Sequence, residues 1–139
     1  MATTRTSIIY GTESEAKDTQ TIASVRTLTA SDSGKVITLS AASGAAITLP
    51  SVAIDGFNLK VIVGAAFATT NFTIVAPTNK IQGGAIVNSV FVPASDENTI
   101  SFVATAETIG DYINIVSDGI NFYVDGVGAA AGSITFTAV

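Results

Sequence analysis

Short runs of alternating apolar and polar residues dominate this chain, and turn-forming residues interrupt them. Lys35–Leu39, Phe57–Val63 and Thr99–Val103 are runs of this kind, rich in Val, Ile, Thr and Phe. A period of two puts successive side chains on opposite faces of a β-strand. No segment of useful length has the 3.6-residue period of an amphipathic helix. The sequence therefore predicts an all-β protein with about nine or ten short strands.

The spacing of the turn signals indicates how these strands are arranged. Turn clusters such as Ser31–Gly34 and Ser43-Gly44 recur at roughly 8–12 residues, which favours an antiparallel β-sandwich or barrel, of the jelly-roll kind. Ile86–Val92 is predicted to be one strand, ended by Pro93. No fixed-period repeat is strong enough to indicate a solenoid. Residues 22–139 are expected to form a single β domain.

The clearest local signal is a hairpin near the C-terminus. Asp111–Val116 and Ile120–Val124 flank the turn sequence Ser117-Asp118-Gly119. Alternation places Phe122 in the core and Tyr123 on the opposite face. Two roles remain open for Tyr123: a cross-strand pair with Tyr112, or a contact between subunits.

The composition indicates a protein that binds partners through exposed apolar surface. Hydrophobic residues make up 47% of the chain and charged residues only 12%, about half the usual share. A surface with so few charges leaves apolar patches exposed, and such patches are often interfaces. The net charge is −5 and no basic run is present, so we expect no binding to nucleic acid.

The first 21 residues differ from the rest of the chain. They hold an unusually large share of the charged residues and one apolar cluster, Ile8-Ile9-Tyr10. Two interpretations stay open: a disordered terminus, or an arm that becomes ordered by extending the sheet edge of a neighbouring subunit. The N-terminal residues lack a signal peptide pattern, and no apolar run is long enough to cross a bilayer. We therefore expect synthesis in a cytoplasm and no membrane partner.

The residues needed for catalysis are sparse. The chain has no His and no Cys, so the commonest general base and the commonest metal ligands are missing. Asp96 and Glu97 are the only adjacent carboxylates considered for a glycosidase, and we expect them to lie in a solvated loop. Five aspartates are expected in turns or at strand starts: Asp32, Asp96, Asp111, Asp118 and Asp125. A Ca²⁺ ion that they share between loops or subunits stays open. Capping of their own turns already explains Asp32 and Asp118. We expect no catalytic residues, no cofactor and no resident metal.

Several segments resemble a known group of proteins. Leu28–Lys35 has the pattern L-T-x-x-D-S-G-K, Ile47–Pro50 follows it, and Ile109–Tyr112 precedes Val116–Val124. Together they resemble small β-rich virion proteins of tailed bacteriophages, and related patterns occur in phage fibre modules. The resemblance spans roughly residues 26–137 and concerns turn chemistry. The chain differs from lambda-type decoration proteins in its many regular strands and in its polar first twenty residues.

The resemblance implies a capsid decoration (cement) protein, a homotrimer that binds the major capsid protein on the outer surface of a phage head. The expected interface residues are Ile8, Ile9 and Tyr10 of the arm, together with Tyr123. The alternative is a trimeric tail-fibre or receptor-binding module that recognises host-surface glycans. A carbohydrate-active enzyme is disfavoured, because the chain lacks His and Trp.

Overall fold

The computed structural model describes residues 17–50 and 54–139, which form twelve β-strands in two sheets. The all-β prediction is confirmed, but the described residues contain more strands than the nine or ten expected. No α-helix occurs among them, and one 3-10 turn spans Ala30–Asp32. The strands are β1 Thr19–Ile22, β2 Arg26–Thr27, β3 Val36–Leu39, β4 Ala46–Thr48, β5 Asn58–Val63, β6 Phe72–Val75, β7 Ile81–Val87, β8 Val90–Glu97, β9 Thr99–Phe102, β10 Tyr112–Ser117, β11 Phe122–Gly128 and β12 Ile134–Thr137.

The two sheets have seven and five strands, and both are mixed. The seven-stranded sheet has the order β1-β3-β5-β10-β11-β7-β8, and the five-stranded sheet has the order β12-β9-β6-β4-β2. A sandwich fits this arrangement. The expectation of purely antiparallel pairing was wrong, because β1, β3 and β5 pair in parallel, as do β2, β4 and β6, and also β7 and β11.

The first six strands alternate between the two sheets and form three stacked coils. Each coil gives one strand to the seven-stranded sheet and the next to the five-stranded sheet. Thr19 pairs with Val36, 17 positions later, and Val36 pairs with Lys60, 24 positions later. This part of the chain is therefore solenoid-like. Its unequal coil lengths explain why the sequence has no fixed repeat.

The second and third coils approach each other closely at a corner. The Gly44 amide donates to the Thr70 carbonyl at 3.0 Å, and the Thr70 hydroxyl donates to the Gly44 carbonyl at 3.0 Å. A Cβ atom at position 44 would lie 2.2 Å from the backbone of Asn71. Only glycine fits this corner without a shift of the backbone.

The second half of the chain contains two hairpins. The predicted hairpin is confirmed: β10 and β11 pair in antiparallel fashion from Tyr112↔Val127 to Ser117↔Phe122. The predicted strand over Ile86–Val92 was wrong, because it contains the tight turn between β7 and β8. Asn88 and Ser89 form this turn with φ values of 50° and 66°. Both central residues of a type I′ hairpin turn have positive φ values.

The core lies between the two sheets. Alternate residues of β5, β10 and β11 point inward, including Leu59, Ile113 and Phe122. Phe57 meets Phe122 edge to face at 6.5 Å, and Phe67 meets Phe72 at 4.9 Å. Such contacts add to the stabilisation from burial itself. The expected core position of Phe122 is confirmed.

The structure describes only the last residues of the predicted arm. Strand β1 begins at Thr19, so the last residues of the predicted arm, which spans residues 1–21, belong to the seven-stranded sheet. Ile8, Ile9 and Tyr10 lie outside the described residues. In the described ranges, no helix has the length and hydrophobicity required to cross a membrane.

Candidate functional site

The outer face of the seven-stranded sheet, which is turned away from the five-stranded sheet, carries a row of apolar side chains. Cross-strand neighbours lie side by side on the same face of a sheet, and the register aligns one residue from each of five adjacent strands. We call this set the apolar row: Phe91, Ile86, Val127, Tyr112 and Ile62. Phe91 is 57% exposed, Ile86 44% and Val127 41%.

Phe91 lies at the end of the apolar row, on the edge strand β8. Its ring lies over Gly84 of β7, where an added Cβ would come within 2.7 Å of the Phe91 ring. The absence of a side chain at position 84 lets the ring lie against the sheet. Pro93 follows on the same strand, and a proline on an edge strand hinders pairing with another strand. Contacts through the face are therefore favoured over extension of this edge.

A second exposed pair lies on the same face. Val116 of β10 is directly opposite Tyr123 of β11, and both side chains are nearly half exposed. Tyr123 Oη donates a hydrogen bond to Asp118 Oδ2 at 3.0 Å. Asp118 Oδ1 accepts from the amides of Ile120 and Asn121 at 2.9 and 2.8 Å. The hairpin loop thereby fixes the direction of the Tyr123 side chain.

The same contacts lower the pKa of Asp118. Hydrogen bonds from the Asn121 and Ile120 amides, and then from Tyr123, stabilise the carboxylate and lower the pKa of Asp118 below its ordinary value. Asp118 is therefore ionised at neutral pH. It caps its own turn, as the sequence predicts.

Beside the apolar row is a groove that we call the lysine groove. Its volume is about 250 Å³. It is lined by three lysines: Lys17 from the segment before β1, Lys35 from the position just before β3, and Lys60 from the middle of β5. Asn58, Asn114, Val116, Tyr123 and Asp125 complete its walls, together with Leu59 and Ile115. The parallel register of β3 on β5 brings the start of β3 beside Lys60.

Two further contacts hold the groove in shape. Lys60 Nζ lies 4.3 Å from the centre of the Tyr112 ring, a cation–π distance. Asn114 Nδ2 donates to Asp125 Oδ2 at 3.2 Å on the neighbouring strand. The groove therefore presents amide, ammonium, carboxylate and phenol groups together on one face of the sheet.

A buried carboxylate anchors one end of the groove. Asp32 Oδ1 accepts from Lys35 Nζ at 3.0 Å and from Arg26 Nη2 at 2.8 Å, and Asp32 Oδ2 accepts from the Thr29 amide at 2.9 Å. Burial by itself raises the pKa of Asp32, but the Thr29 amide and the two cations more than offset this effect and lower the pKa. Asp32 therefore caps its turn, as predicted, and also joins β2 to β3 through charge.

The candidate residues named from the sequence do not form one site in the structure: Tyr112 and Tyr123 are not paired, and Asp96 and Glu97 lie on another strand. Tyr123 lies on the outer face, as the alternation predicts. It pairs with Val116, so the cross-strand pair with Tyr112, one of the two roles left open for Tyr123, was wrong. The four-residue loop Asp118–Asn121 sets this register. The expected loop around Asp96 and Glu97 was also wrong, because both residues belong to β8, where Asp96 accepts from Gln82 Nε2 at 2.6 Å.

The aspartates considered for calcium are held by other groups. Asp111, which is buried, accepts from the Thr108 and Ala129 amides at 2.9 and 2.8 Å. Asp32, Asp96, Asp118 and Asp125 have the separate partners described above. Within residues 17–50 and 54–139, no group of three or more His, Cys, Asp or Glu residues is arranged to hold a metal ion.

Most of this face leaves no signal in the sequence. Phe91, Ile86 and Val127 look like ordinary strand residues, and only the register shows that they form one exposed row. The three lysines are far apart in the sequence, and only the stacked coils bring them together. The polar pair Asn88-Ser89 between two apolar runs is the one local sign of the turn that leads into the strand of Phe91.

The described residues thus define an all-β protein of two mixed sheets, with an apolar row and a lysine groove on one sheet face. No protein-family model matches the chain. No curated protein and no solved structure matches it either.

Proposed function

We propose that this chain is a structural virion protein, a decoration protein that binds the outer surface of a tailed-phage head and stabilises it through contacts between subunits. The resemblance of Leu28–Lys35 and Val116–Val124 to phage virion proteins suggests the setting. The observation that carries the proposal is the apolar row, because a face of this kind is suited to packing against other subunits.

The apolar row crosses five of the seven strands of its sheet. Five strands at the usual spacing of about 4.8 Å span about 20 Å. A standard interface buries roughly 800 Å² on each partner, with its apolar residues at the centre and polar residues at the rim. Tyr123 and Val116 lie beside the apolar row, and Gln82 and Ser95 continue their row toward β8. We assign the apolar row to contacts between copies of the chain, in a homotrimer, with Val116 and Tyr123 at its solvent-accessible rim.

The shell contact is assigned to the N-terminal arm. In this proposal Ile8, Ile9 and Tyr10 bind the major capsid protein, and the β domain stays outside the shell. Many copies act together, so a modest affinity for each copy is sufficient for high occupancy.

Cryo-electron microscopy of the virion is the experiment that tests this function. Hundreds of copies on the head, each with residues 1–16 against the major capsid protein, are the expected result. A chain with residues 1–16 removed keeps strand β1, and it should retain the fold but occupy fewer sites on the shell. Location inside the shell or wild-type occupancy by the shortened chain would contradict the proposal.

A second candidate is a fibre or receptor-binding module that recognises host-surface glycans. The lysine groove favours it, because a groove with amide, phenol and ammonium groups can contact a sugar. Copy number separates the two candidates: a fibre module would be present in a few copies at the tail.

A further inference from the structure

Half of the basic residues of the chain line one groove. The chain has six Lys and Arg residues and a net charge of −5, yet Lys17, Lys35 and Lys60 all border the lysine groove. Among the described residues that line the groove, Asp125 is the only acidic one. Asp32 partly compensates Lys35, so among the described residues Lys17 and Lys60 carry the excess positive charge of the groove. A local positive field of this kind attracts an anion.

The lysines differ in how they are held. Lys35 is tied to the buried Asp32 at 3.0 Å, so its ammonium group has a fixed position. Lys60 is held over the Tyr112 ring at 4.3 Å. Side chains that are already ordered lose little conformational entropy when a ligand binds.

The other walls suit a sugar. The Tyr123 ring is exposed, and its hydroxyl is fixed by Asp118, so one ring face can pack against the C–H groups of a pyranose. Asn58 and Asn114 offer amide groups that can donate to and accept from hydroxyls. A few polar groups around an apolar platform are typical of small-molecule sites.

The size of the groove limits the occupant. Its volume of about 250 Å³ is just below the roughly 300–1,000 Å³ of pockets for drug-sized ligands. This volume suits one or two units of a longer glycan chain. A nucleic acid would need a longer basic track that neutralises several phosphates.

We propose that the lysine groove binds an acidic saccharide, with the carboxylate of a uronic acid at Lys35 and Lys60 and the sugar ring on Tyr123. This inference deepens the second candidate function by naming its ligand class. Because a decoration protein can carry the same site, binding in the groove and the location in the virion are tested separately, and one can fail without the other.

The test uses the full chain labelled with ¹⁵N and titrated with trigalacturonate, with maltotriose as the neutral counterpart. Trigalacturonate is expected to shift the amide signals of residues 58–60, 114–116 and 123–125, and added salt should weaken the binding. Lys60→Gln should weaken it about two- to fivefold, the contribution expected of an exposed ion pair. Lys60→Arg, which keeps the charge, should restore most of the affinity.

Lys80→Gln is the matched control, because it removes the same charge at a lysine that does not line the groove. It should bind trigalacturonate as the wild type does. The amide spectra also show whether each variant is folded. The proposal is overturned if the groove signals stay unchanged at millimolar trigalacturonate, or if Lys60→Gln binds like the wild type. Equal shifts with inorganic phosphate, or tighter binding of oligothymidylate, would also overturn it.

Discussion

The hydroxyl of Tyr123 donates a hydrogen bond to Asp118 across the β10–β11 hairpin loop, with an O–O distance of 3.0 Å. The bond joins the loop to the outer face of the seven-stranded sheet. The same carboxylate also accepts hydrogen bonds from the backbone amides of Ile120 and Asn121. The geometry of the loop and the direction of an exposed ring therefore depend on one ionised group.

This relationship predicts a pH dependence of the hairpin. The folded-state pKa of Asp118 is lowered, chiefly by the Asn121 and Ile120 amides, so its contribution is complete above the ordinary aspartate pKa of about 3.9. The contribution is lost as the pH falls through the lowered folded-state pKa. A ¹³C titration of the side-chain carboxyl should give a midpoint below the ordinary value. Tyr123→Phe removes one donor and should raise that midpoint, and an unshifted wild-type midpoint would contradict the assignment.

The charge cluster around Asp32 predicts a measurable loss of stability. Asp32→Asn removes the negative charge that Arg26 and Lys35 share and weakens the bond from the Thr29 amide. Hydrogen bonds to charged groups contribute roughly 1.5–3 kcal/mol, so a loss of about 2 kcal/mol in the free energy of unfolding is expected. Urea denaturation measures it. Asp55→Asn, at an exposed position, should change stability by less than about 0.5 kcal/mol, and an equal loss in both variants would refute the role of Asp32.

The close contact between the second and third coils predicts that a larger residue at position 44 destabilises the fold. Gly44→Ala would push a methyl group against the backbone of Asn71, at 2.2 Å before any relaxation. Overpacking of this kind costs about 1–3 kcal/mol. The adjacent Ser43 is exposed, so Ser43→Ala is a matched control that should be nearly neutral. Thermal unfolding of both variants tests the prediction, and equal melting temperatures would show that the coils can separate at this corner without cost.

Features encoded by neighbouring residues could be predicted from the sequence. Alternation gave the all-β class and the core position of Phe122, and the Asp118-Gly119 turn gave the β10–β11 hairpin. The turn at Asn88-Ser89 was missed because it contains no glycine, although both of its residues have positive φ.

Features that depend on pairing between distant strands could not be predicted. Parallel and antiparallel strands both alternate with period two, so the pattern around Ile37 or Leu59 does not show which partner they have. The coils differ in length, so no repeat reveals that they stack. The apolar row and the lysine groove exist only because of these pairings. For this reason the candidate site was largely hidden, and Tyr123 was the only residue of this face that the sequence indicated as a contact between subunits.

The apolar row predicts the behaviour of a charge placed at its centre. Val127 lies between Ile86 and Tyr112 on the outer face, so Val127→Lys would put an unpaired ammonium group inside the proposed interface between copies. An interface loses affinity when a charge is desolvated without a partner. Light scattering after size-exclusion chromatography should show a multimer for the wild type and at least tenfold weaker association for the variant.

Val25→Lys is the control, because Val25 is 73% exposed and lies between β1 and β2, outside the apolar row. It makes the same change in charge and size at a surface position, and it should leave the association unchanged. Both variants should unfold near the wild-type temperature, since neither side chain is buried in the core. If Val127→Lys associates as the wild type does, the subunits do not meet through this face. The assignment of the row to contacts between copies then fails, while the arm and the shell remain to be tested by occupancy.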